Sequence, residues 1–334
     1  MNILITGGAG YIGSHVVLKL KEAGHFTVVY DNLSKGFREL VNSDAFVDGD
    51  IHDKSLLDKT IKKHKIEAIM HFAAFIEVGE SMKDPKKYFE NNSAGTINLL
   101  NAAIENKARY FVFSSTAALF GHPEEMPITE NCPFNPINAY GESKLIVEKV
   151  LKRYSQAYDF NYVSLRYFNA CGADKQLRTG ECHNPETHLI PIALQTAYGK
   201  RDKMFIYGTD YNTKDGTCIR DYVHVEDLAD AHVLALAYMA KNNKSEVFNL
   251  GSGNGYSVKE VIDAVKKITG KDFAVVKGER RAGDPAVLIA SSEKIKKVLG
   301  WKPKYTIKDA IKTASDWFIK REKLNPSTKK QIPI

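Results

Sequence analysis

The chain opens with a short apolar run, Met1-Asn-Ile-Leu-Ile-Thr6, followed by Gly7-Gly-Ala-Gly-Tyr-Ile-Gly13 and a helical pattern from Ser14 to Leu20. Few local sequences restrict a fold as tightly. Gly8, Gly10 and Gly13 meet the G-x-G-x-x-G spacing, and Gly7 with Gly10 and Gly13 meets a second, G-x-x-G-x-x-G. Between a buried strand and a helix, one glycine permits the tight turn, one lets a pyrophosphate approach the backbone, and one lets helix and strand pack closely. The unpaired N–H groups and dipole at the helix start then favour phosphate. A second apolar run, Phe26-Thr-Val-Val-Tyr-Asp31, ends in a carboxylate about twenty residues beyond the glycines, where an acid accepts from ribose hydroxyls. A carboxylate there repels a 2′-phosphate, so NAD is expected rather than NADP. The alternative for Asp31 is an ordinary strand-end turn.

The rest of the first half repeats the strand–helix alternation. Strands are expected at 45–50, 68–73, 110–115 and 161–168, with helices at 52–64, 85–106 and 139–157. This pattern predicts an α/β fold, a doubly wound parallel sheet of Rossmann type with helices on both faces. Ligands in such folds bind at the carboxyl ends of strands, so Asp50, Ile51, Phe72, Ala73, Ser115 and Thr116 should line the cleft. The second half is more broken. Gly, Pro and Asn cluster at 171–186, 208–216, 251–256 and 278–285, with short helices between them at 187–199, 226–242, 257–269 and 306–322. The expected division is a cofactor-binding domain at 1–170 and a smaller α/β substrate lobe at 171–334, with 218–250 returning to the main sheet.

The 334 residues suffice for such an arrangement, and 43% hydrophobic with 26% charged residues is ordinary for a globular enzyme. No apolar run approaches the roughly eighteen residues of a membrane span, and residues 1–7 read as a strand rather than a signal peptide. Cys132, Cys171, Cys182 and Cys218 are far apart with no C-x-x-C, which points to a reduced, cytoplasmic setting. Cys182-His183 with His188 lacks a second cysteine ligand nearby, so no metal site is expected. The net charge of +7 is modest. Part of it gathers near the end, where Lys320, Arg321, Lys323, Lys329 and Lys330 face a single acid, Glu322. No nucleic-acid-binding motif is present, and some of the excess charge suits an anionic substrate.

Asn138-Ala-Tyr-Gly-Glu-Ser-Lys144 supplies the chemistry. On a helix, Tyr140 and Lys144 share a face. A free phenol titrates near a pKa of about 10, and a fixed cation beside it favours the phenolate, bringing it toward acid–base work. Spacing alone is weak, because chance supplies about two such pairs in a chain of this composition. The glycine loop upstream is what makes this pair a candidate.

With that loop, Thr116 after a strand, and Tyr140-x-x-x-Lys144 in order, the chain resembles the extended short-chain dehydrogenase/reductase superfamily. Asp50-Ile51, His71-Phe-Ala-Ala, Val78-Gly-Glu-Ser81, Asn91-Asn92, Phe113-Ser-Ser-Thr116, Leu165-Arg-Tyr-Phe-Asn169, Asp215-Gly-Thr217, Arg220-Asp-Tyr-Val-His224 and Arg280-Arg-Ala-Gly-Asp284 narrow the resemblance to the UDP-glucose 4-epimerase family, from residue 2 to about 318. The resemblance implies that Tyr140 takes the proton from the sugar 4-OH while the C4 hydride passes to tightly bound NAD. Lys144 would lower the Tyr140 pKa and hold the nicotinamide ribose, and Thr116 would hydrogen-bond the sugar oxygen. A transient 4-keto sugar then turns over and is reduced on the opposite face, interconverting UDP-glucose and UDP-galactose. The implied NAD contacts are Gly7, Gly10, Tyr11, Ile12, Gly13, Asp31, Asn32, Asp50, Ile51, Phe72, Ala73, Ala74, Asn91, Ser114, Tyr140, Lys144 and Phe168. The implied UDP-sugar contacts are Thr116, Asn169, His188, Leu189, Phe205, Tyr207, Arg220, Arg281, Asp284 and Leu288. For Phe205 and Tyr207 the alternative is core packing, which the period-two pattern also fits, and for Arg220-Asp221 it is a structural ion pair. A homodimer is implied, pairing the helices at 85–106 and 139–157.

The chain departs from the family pattern at Phe120, where a Tyr is common, at Ile76, where some members carry Lys, and at His188, where others carry Asn. Leu288 holds the position that limits room at the sugar 2-substituent. It is intermediate in size, so acceptance of N-acetylated UDP-sugars stays open. A 4,6-dehydratase would need an acid and a base after Thr116, and Ala117 and Ala118 can move no proton. A uronate 4-epimerase is excluded less firmly. A non-catalytic NAD-sensing regulator would be expected to have lost Tyr140 or Lys144.

Overall fold

The computed structural model describes residues 1–281 and 284–324, so Ala282, Gly283, Lys329 and Lys330 lie outside the described residues. Its centre is a parallel sheet of seven strands. In chain order these are β1 (Asn2–Thr6), β2 (Phe26–Asp31), β3 (Ala45–Asp48), β4 (Ala68–His71), β5 (Tyr110–Thr116), β6 (Asn161–Tyr167) and β10 (Glu246–Leu250). Their spatial order is β3-β2-β1-β4-β5-β6-β10. The chain winds outward from β1 in both directions, so the crevice of a doubly wound sheet falls between β1 and β4, beyond their carboxyl ends.

Helices cover both faces: α1 (Tyr11–Glu22), α2 (Lys54–His64), the one-turn α3 (Val78–Ser81) and α4 (Pro85–Tyr88), α5 (Thr96–Glu105), α6 (Ala139–Ala157) and α8 (Val225–Asn242). The strands are buried on both sides, which is why they read as continuous apolar runs. One core packs Ile3, Ile5, Val16, Leu20 and Val163 against Leu228, Leu236 and Phe248. The opposite one packs Leu4, Val28, Leu99, Phe111 and Leu151. Asp53 caps α2 by accepting from the Leu56 N–H, and Asn138 caps α6 by accepting from the Gly141 N–H.

The helix expected at 85–106 is interrupted. Residues Phe89–Gly95 form a π-helical segment between α4 and α5. The physical cause is visible in its side chains. The Asn92 amide pairs with both backbone groups of Phe75, at 2.9 Å each, and Ser93 Oγ donates to the Ser143 carbonyl. An extra residue in the turn aims Asn92 at the loop after β4, and such bulges occur often at functional sites.

The remaining elements are β7 (Asn169–Cys171), α7 (Leu189–Ala197), β8 (Lys203–Tyr207), β9 (Ile219–His224), β11 (Gly255–Ser257), α9 (Val258–Thr269), β12 (Ala274–Gly278), β13 (Val287–Leu288), α10 (Glu293–Leu299) and α11 (Ile307–Leu324). Strand β9 pairs with β7, β11 and β13, while β8 pairs with β12. Helices α7, α9 and α11 enclose a separate core around Ile190, Leu194, Val261, Ile262 and Ile311. Ile295 and Trp301 pack instead into the core beneath α8. The basic end of α11 docks back on the protein: Lys320 donates to the Leu177 carbonyl and Arg321 lies over the Phe37 ring.

Candidate active site

The glycine loop leaves β1 as a left-handed turn. Gly7 has φ of +75°, and a Cβ there would fall 2.4 Å from the Ala73 nitrogen, so the loops after β1 and β4 touch. At Gly13 a Cβ would meet the Gly7 carbonyl oxygen at 2.3 Å, which is the close helix–strand approach. Gly10 is less crowded, its nearest neighbour being the Gly7 oxygen at 3.3 Å, and it caps α1 without any side-chain hydrogen bond. No acid lies in the first turn of α1. The Gly10 N–H is taken by the Gly7 carbonyl at 3.2 Å, so the backbone at Ile12 and Gly13 offers the N–H groups, with the positive end of the dipole, to an anion. The Tyr11 side chain turns away and donates to the Gly172 carbonyl at 2.7 Å, tying the loop to the segment after β7.

Asp31 ends β2 with its carboxylate held on both oxygens, by the Ala9 N–H at 3.0 Å and the Leu33 N–H at 2.8 Å. Burial raises its pKa, and those two N–H groups work against the rise. Each oxygen keeps a lone pair for a further donor. Asn32 donates to Asp50 at 2.8 Å, and the Ile51 carbonyl accepts from Asn98 at 2.6 Å, so this rim is braced by side chains. Phe72, Ala73 and Ala74 follow β4, with the Phe72 ring 4.9 Å from that of His232. Asn91 donates to Asn92 in the π segment.

The carboxyl end of β5 and the start of α6 bring the expected catalytic residues together. Thr116 and Tyr140 are in side-chain contact. Burial raises the Tyr140 pKa, and the Thr116 hydrogen bond opposes this. Lys144 is 2% exposed; its ammonium donates to the Ser114 carbonyl at 3.0 Å and lies 4.9 Å from the Phe113 ring centre. Burial lowers its pKa to about 7. The expected lowering of Tyr140 by Lys144 is thus not what these groups do alone. The ammonium is directed to the strand carbonyl, and burial disfavours charge on both side chains. The Ser114 hydroxyl accepts from Tyr167 OH, and Phe168 and Leu288 both pack against the cluster of Ala117, Phe120 and Ile128.

The sugar-nucleotide set is assembled from distant segments. Strand register places Leu288 beside Arg220 and Asn169 beside Tyr222. Asn169 donates to the Asp221 carbonyl at 3.0 Å. The ion pair anticipated for Arg220 with Asp221 is instead Arg220 with Asp284; the guanidinium engages one Asp284 oxygen, and the carboxylate keeps lone pairs for a further donor. Asp221 is fully buried, where its carboxylate accepts backbone N–H groups from Ser252, Gly253 and Ala290. Phe205 and Tyr207 are not core residues. Each is 41% exposed, their rings stack 6.1 Å apart, and the Arg281 guanidinium lies 4.2 Å over Tyr207. His188 caps α7 next to Leu189, with Nδ1 at 2.8 Å from Glu181 and 3.0 Å from Glu186. Burial would lower its pKa, but the carboxylates, Glu181 foremost, push it up to about 10.

Three supporting groups had no role assigned from the sequence, although His71 and Asn92 stand in the family motifs. Glu148 lies one turn beyond Lys144 on the Tyr140 face of α6 and forms a buried pair with Arg166, Nε to Oε1 being 2.9 Å. Its Oε1 also accepts from Ser115 at 2.6 Å, locking α6 to β5 and β6 beside Thr116. The i+4 spacing from Lys144 was the available signal. His71 bridges Thr6 at 2.7 Å and Thr96 at 2.8 Å beneath the crevice, and burial, with Lys144 adding to it, holds its pKa well below the ordinary value. Asn92, which pins the loop after β4, was visible as half of an Asn-Asn pair.

A profile of the NAD dependent epimerase/dehydratase family matches residues 3–251. A UDP-glucose 4-epimerase of Halalkalibacterium halodurans is 51% identical over 318 residues, covering 95% of each chain. Among solved structures, UDP-glucose 4-epimerase from Brucella ovis in complex with NAD superposes with a TM-score of 0.93 at 46% identity, covering 95% of this chain and 98% of that one. The UDP-Glc/GlcNAc 4-epimerase of Campylobacter jejuni superposes at 0.84 with 46% identity, covering 96% and 99%. With its glycine loop, doubly wound sheet and Thr116–Tyr140–Lys144 cluster, the chain belongs to the NAD dependent epimerase/dehydratase family and, within it, to the UDP-glucose 4-epimerases.

Proposed function

We propose that the protein interconverts UDP-glucose and UDP-galactose by inverting C4, with Tyr140, Thr116 and Lys144 as its catalytic residues. The observation that carries this reading is the seating of the start of α6 on the carboxyl end of β5: a Cβ at Gly141, next to Tyr140, would fall 2.6 Å from the Ala118 carbonyl oxygen, and Lys144 donates to the Ser114 carbonyl at 3.0 Å, with Ala117 and Ala118 following Thr116. A phenol and a hydroxyl can pass one proton out and back. No side chain at 117 or 118 can complete a dehydration.

The residues present fit NAD. A Cβ at Gly7 or Gly13 would fill the loop, the start of α1 has no side-chain cap, and the Asp31 carboxylate keeps lone pairs for a ribose. NAD, when bound, supplies the hydride acceptor and donor. The chain's residues do the rest. Tyr140 takes the proton at the sugar 4-oxygen and later returns it, with Thr116 orienting that oxygen. Lys144, one helical turn from Tyr140, would hold the nicotinamide ribose with its ammonium. Arg220 and Arg281, with guanidinium forks suited to a diphosphate, anchor the UDP half while the keto sugar turns. Phe205 and Tyr207 present exposed ring faces for stacking near the base, and Leu288 bounds the sugar end beside Phe168. Residues 1–170 with the β10 region form the cofactor part, and the α7–α9–α11 layer with β8, β9 and β12 forms the substrate lobe. We read the assembly as a cytoplasmic homodimer pairing the helical stretch 85–106 with α6; the exposed Ile76, Val78 and Met82, which precede that stretch, support an apolar partner surface.

Tyr140→Phe tests the mechanism. The variant should fold and bind NAD while turnover falls by about 10²–10⁴-fold. C4 inversion followed by NMR with UDP-galactose, UDP-N-acetylgalactosamine and UDP-galacturonate identifies the substrate. Near-normal turnover in Tyr140→Phe, or inversion of the uronate alone, would overturn the reading.

A further inference from the structure

Four side chains outside the catalytic cluster converge in the segment leading into α7. His183 Nδ1 lies 2.9 Å from Glu181 Oε1. His188 Nδ1 lies 2.8 Å from the same oxygen and 3.0 Å from Glu186 Oε1. One donor atom from each of the four lies within 4.8 Å of the others. The cluster is braced from outside. Trp317 Nε1 donates to the Glu181 carbonyl at 3.1 Å, and the Glu186 carboxylate accepts the Thr187 and His188 backbone N–H groups at 2.8 Å each. The His183 ring stands edge-on to Tyr11 at 6.1 Å. The Glu181 and Glu186 side chains are 9% and 4% exposed. Two carboxylates at that depth require positive charge between them; the His188 imidazolium supplies it here, and a metal ion would supply it on binding by displacing that proton.

We propose that Glu181, His183, Glu186 and His188 form a binding site for one divalent transition-metal ion of the zinc class. The donor set fixes the class: two imidazole nitrogens with two carboxylate oxygens suit zinc, cobalt or nickel, whereas magnesium and calcium take oxygen ligands. The dimensions also fit. Ligand bonds of about 2.0–2.2 Å put tetrahedral donors about 3.3–3.5 Å apart. The contacts of 2.8–3.0 Å would open by about half an ångström and the widest would close, a change within reach of side-chain torsions. Cys182, the residue that drew attention to this segment in the sequence, is not a ligand. It is buried with Leu40, Ala173 and Trp317. The ion would staple the start of α7 to the segment that Tyr11 and Trp317 hold. His188 is also one of the proposed UDP-sugar contacts, so the test reads metal binding directly and does not depend on turnover.

The full chain, stripped with chelator, is titrated with zinc by calorimetry and with cobalt by visible absorption, alongside His183→Gln and Cys182→Ser. The wild type and Cys182→Ser should bind one ion per chain and show the intense absorption of tetrahedral cobalt without thiolate charge transfer. His183→Gln should bind at least about tenfold more weakly while melting as the stripped wild type does. A raised melting temperature with zinc in the wild type, absent in His183→Gln, is the second expected result. Absence of stoichiometric binding, binding unchanged in His183→Gln, or binding lost in Cys182→Ser would each overturn the proposal.

Discussion

Replacing Lys144 by Met should make the protein more stable at neutral pH while removing its activity. Lys144 is 2% exposed, and burial takes its pKa from 10.5 to about 7. At about 1.4 kcal/mol per pH unit, keeping the ammonium buried costs about 4–5 kcal/mol at pH 7. Against this stand the hydrogen bond to the Ser114 carbonyl at 3.0 Å and the Phe113 contact at 4.9 Å. Together these contribute about 2–3 kcal/mol, and methionine fills the volume of the aliphatic stem. The net gain for Lys144→Met is about 2 kcal/mol. For 334 residues the unfolding entropy is about 0.7 kcal/mol per kelvin, so the melting temperature should rise by about 3 °C. The pH dependence follows from the sign of the shift. Below about 7 both folded and unfolded chains are protonated at this site and the full penalty is present. Between about 7 and 10.5 the folded protein releases the proton that the unfolded chain keeps, so wild-type stability climbs relative to the variant. Paired melts of cofactor-stripped wild type and variant, from pH about 6.5 to about 10, test this, because other groups cancel in the difference. A variant less stable than wild type at pH 7, or a difference that does not shrink with rising pH, would refute the reasoning.

Glu148→Leu leaves the Arg166 guanidinium, 3% exposed, without its partner and should cost about 3–5 kcal/mol, or about 4–7 °C by the same entropy. Adding Arg166→Met should restore most of the loss in thermal melts; a single variant that loses under about 1 kcal/mol would contradict the buried-pair assignment. Gly7→Ala meets both a φ of +75° and a backbone nitrogen 2.4 Å away, so NAD affinity measured by fluorescence titration should collapse. Gly24→Ala, with a φ of +78° and nothing within 4 Å, should cost only the conformational strain of about 1–2 kcal/mol and leave NAD affinity intact.

Local signals in this chain carried the first half of the fold. Apolar runs and glycine spacing placed β1, β2 and α6 within a residue and α1 within three, because each is decided by contacts among near neighbours: a buried strand, a tight turn, an Asn138 cap. The same locality explains the legibility of Tyr140 and Lys144, one helical turn apart. Other features depended on partners far along the chain. Asn92 opens the helix into a π segment because it finds the Phe75 backbone, and Arg220 pairs with Asp284 rather than its neighbour Asp221 because β9 and β13 lie side by side. The electrostatics of the catalytic pair were also a tertiary matter. Spacing put an ammonium beside a phenol, but packing buried Lys144, left Tyr140 half-buried and turned the ammonium toward Ser114. Sequence determined which groups stand on one face of α6, since helix geometry is local. Only the tertiary structure decided their charge, since burial is set by everything that packs around them.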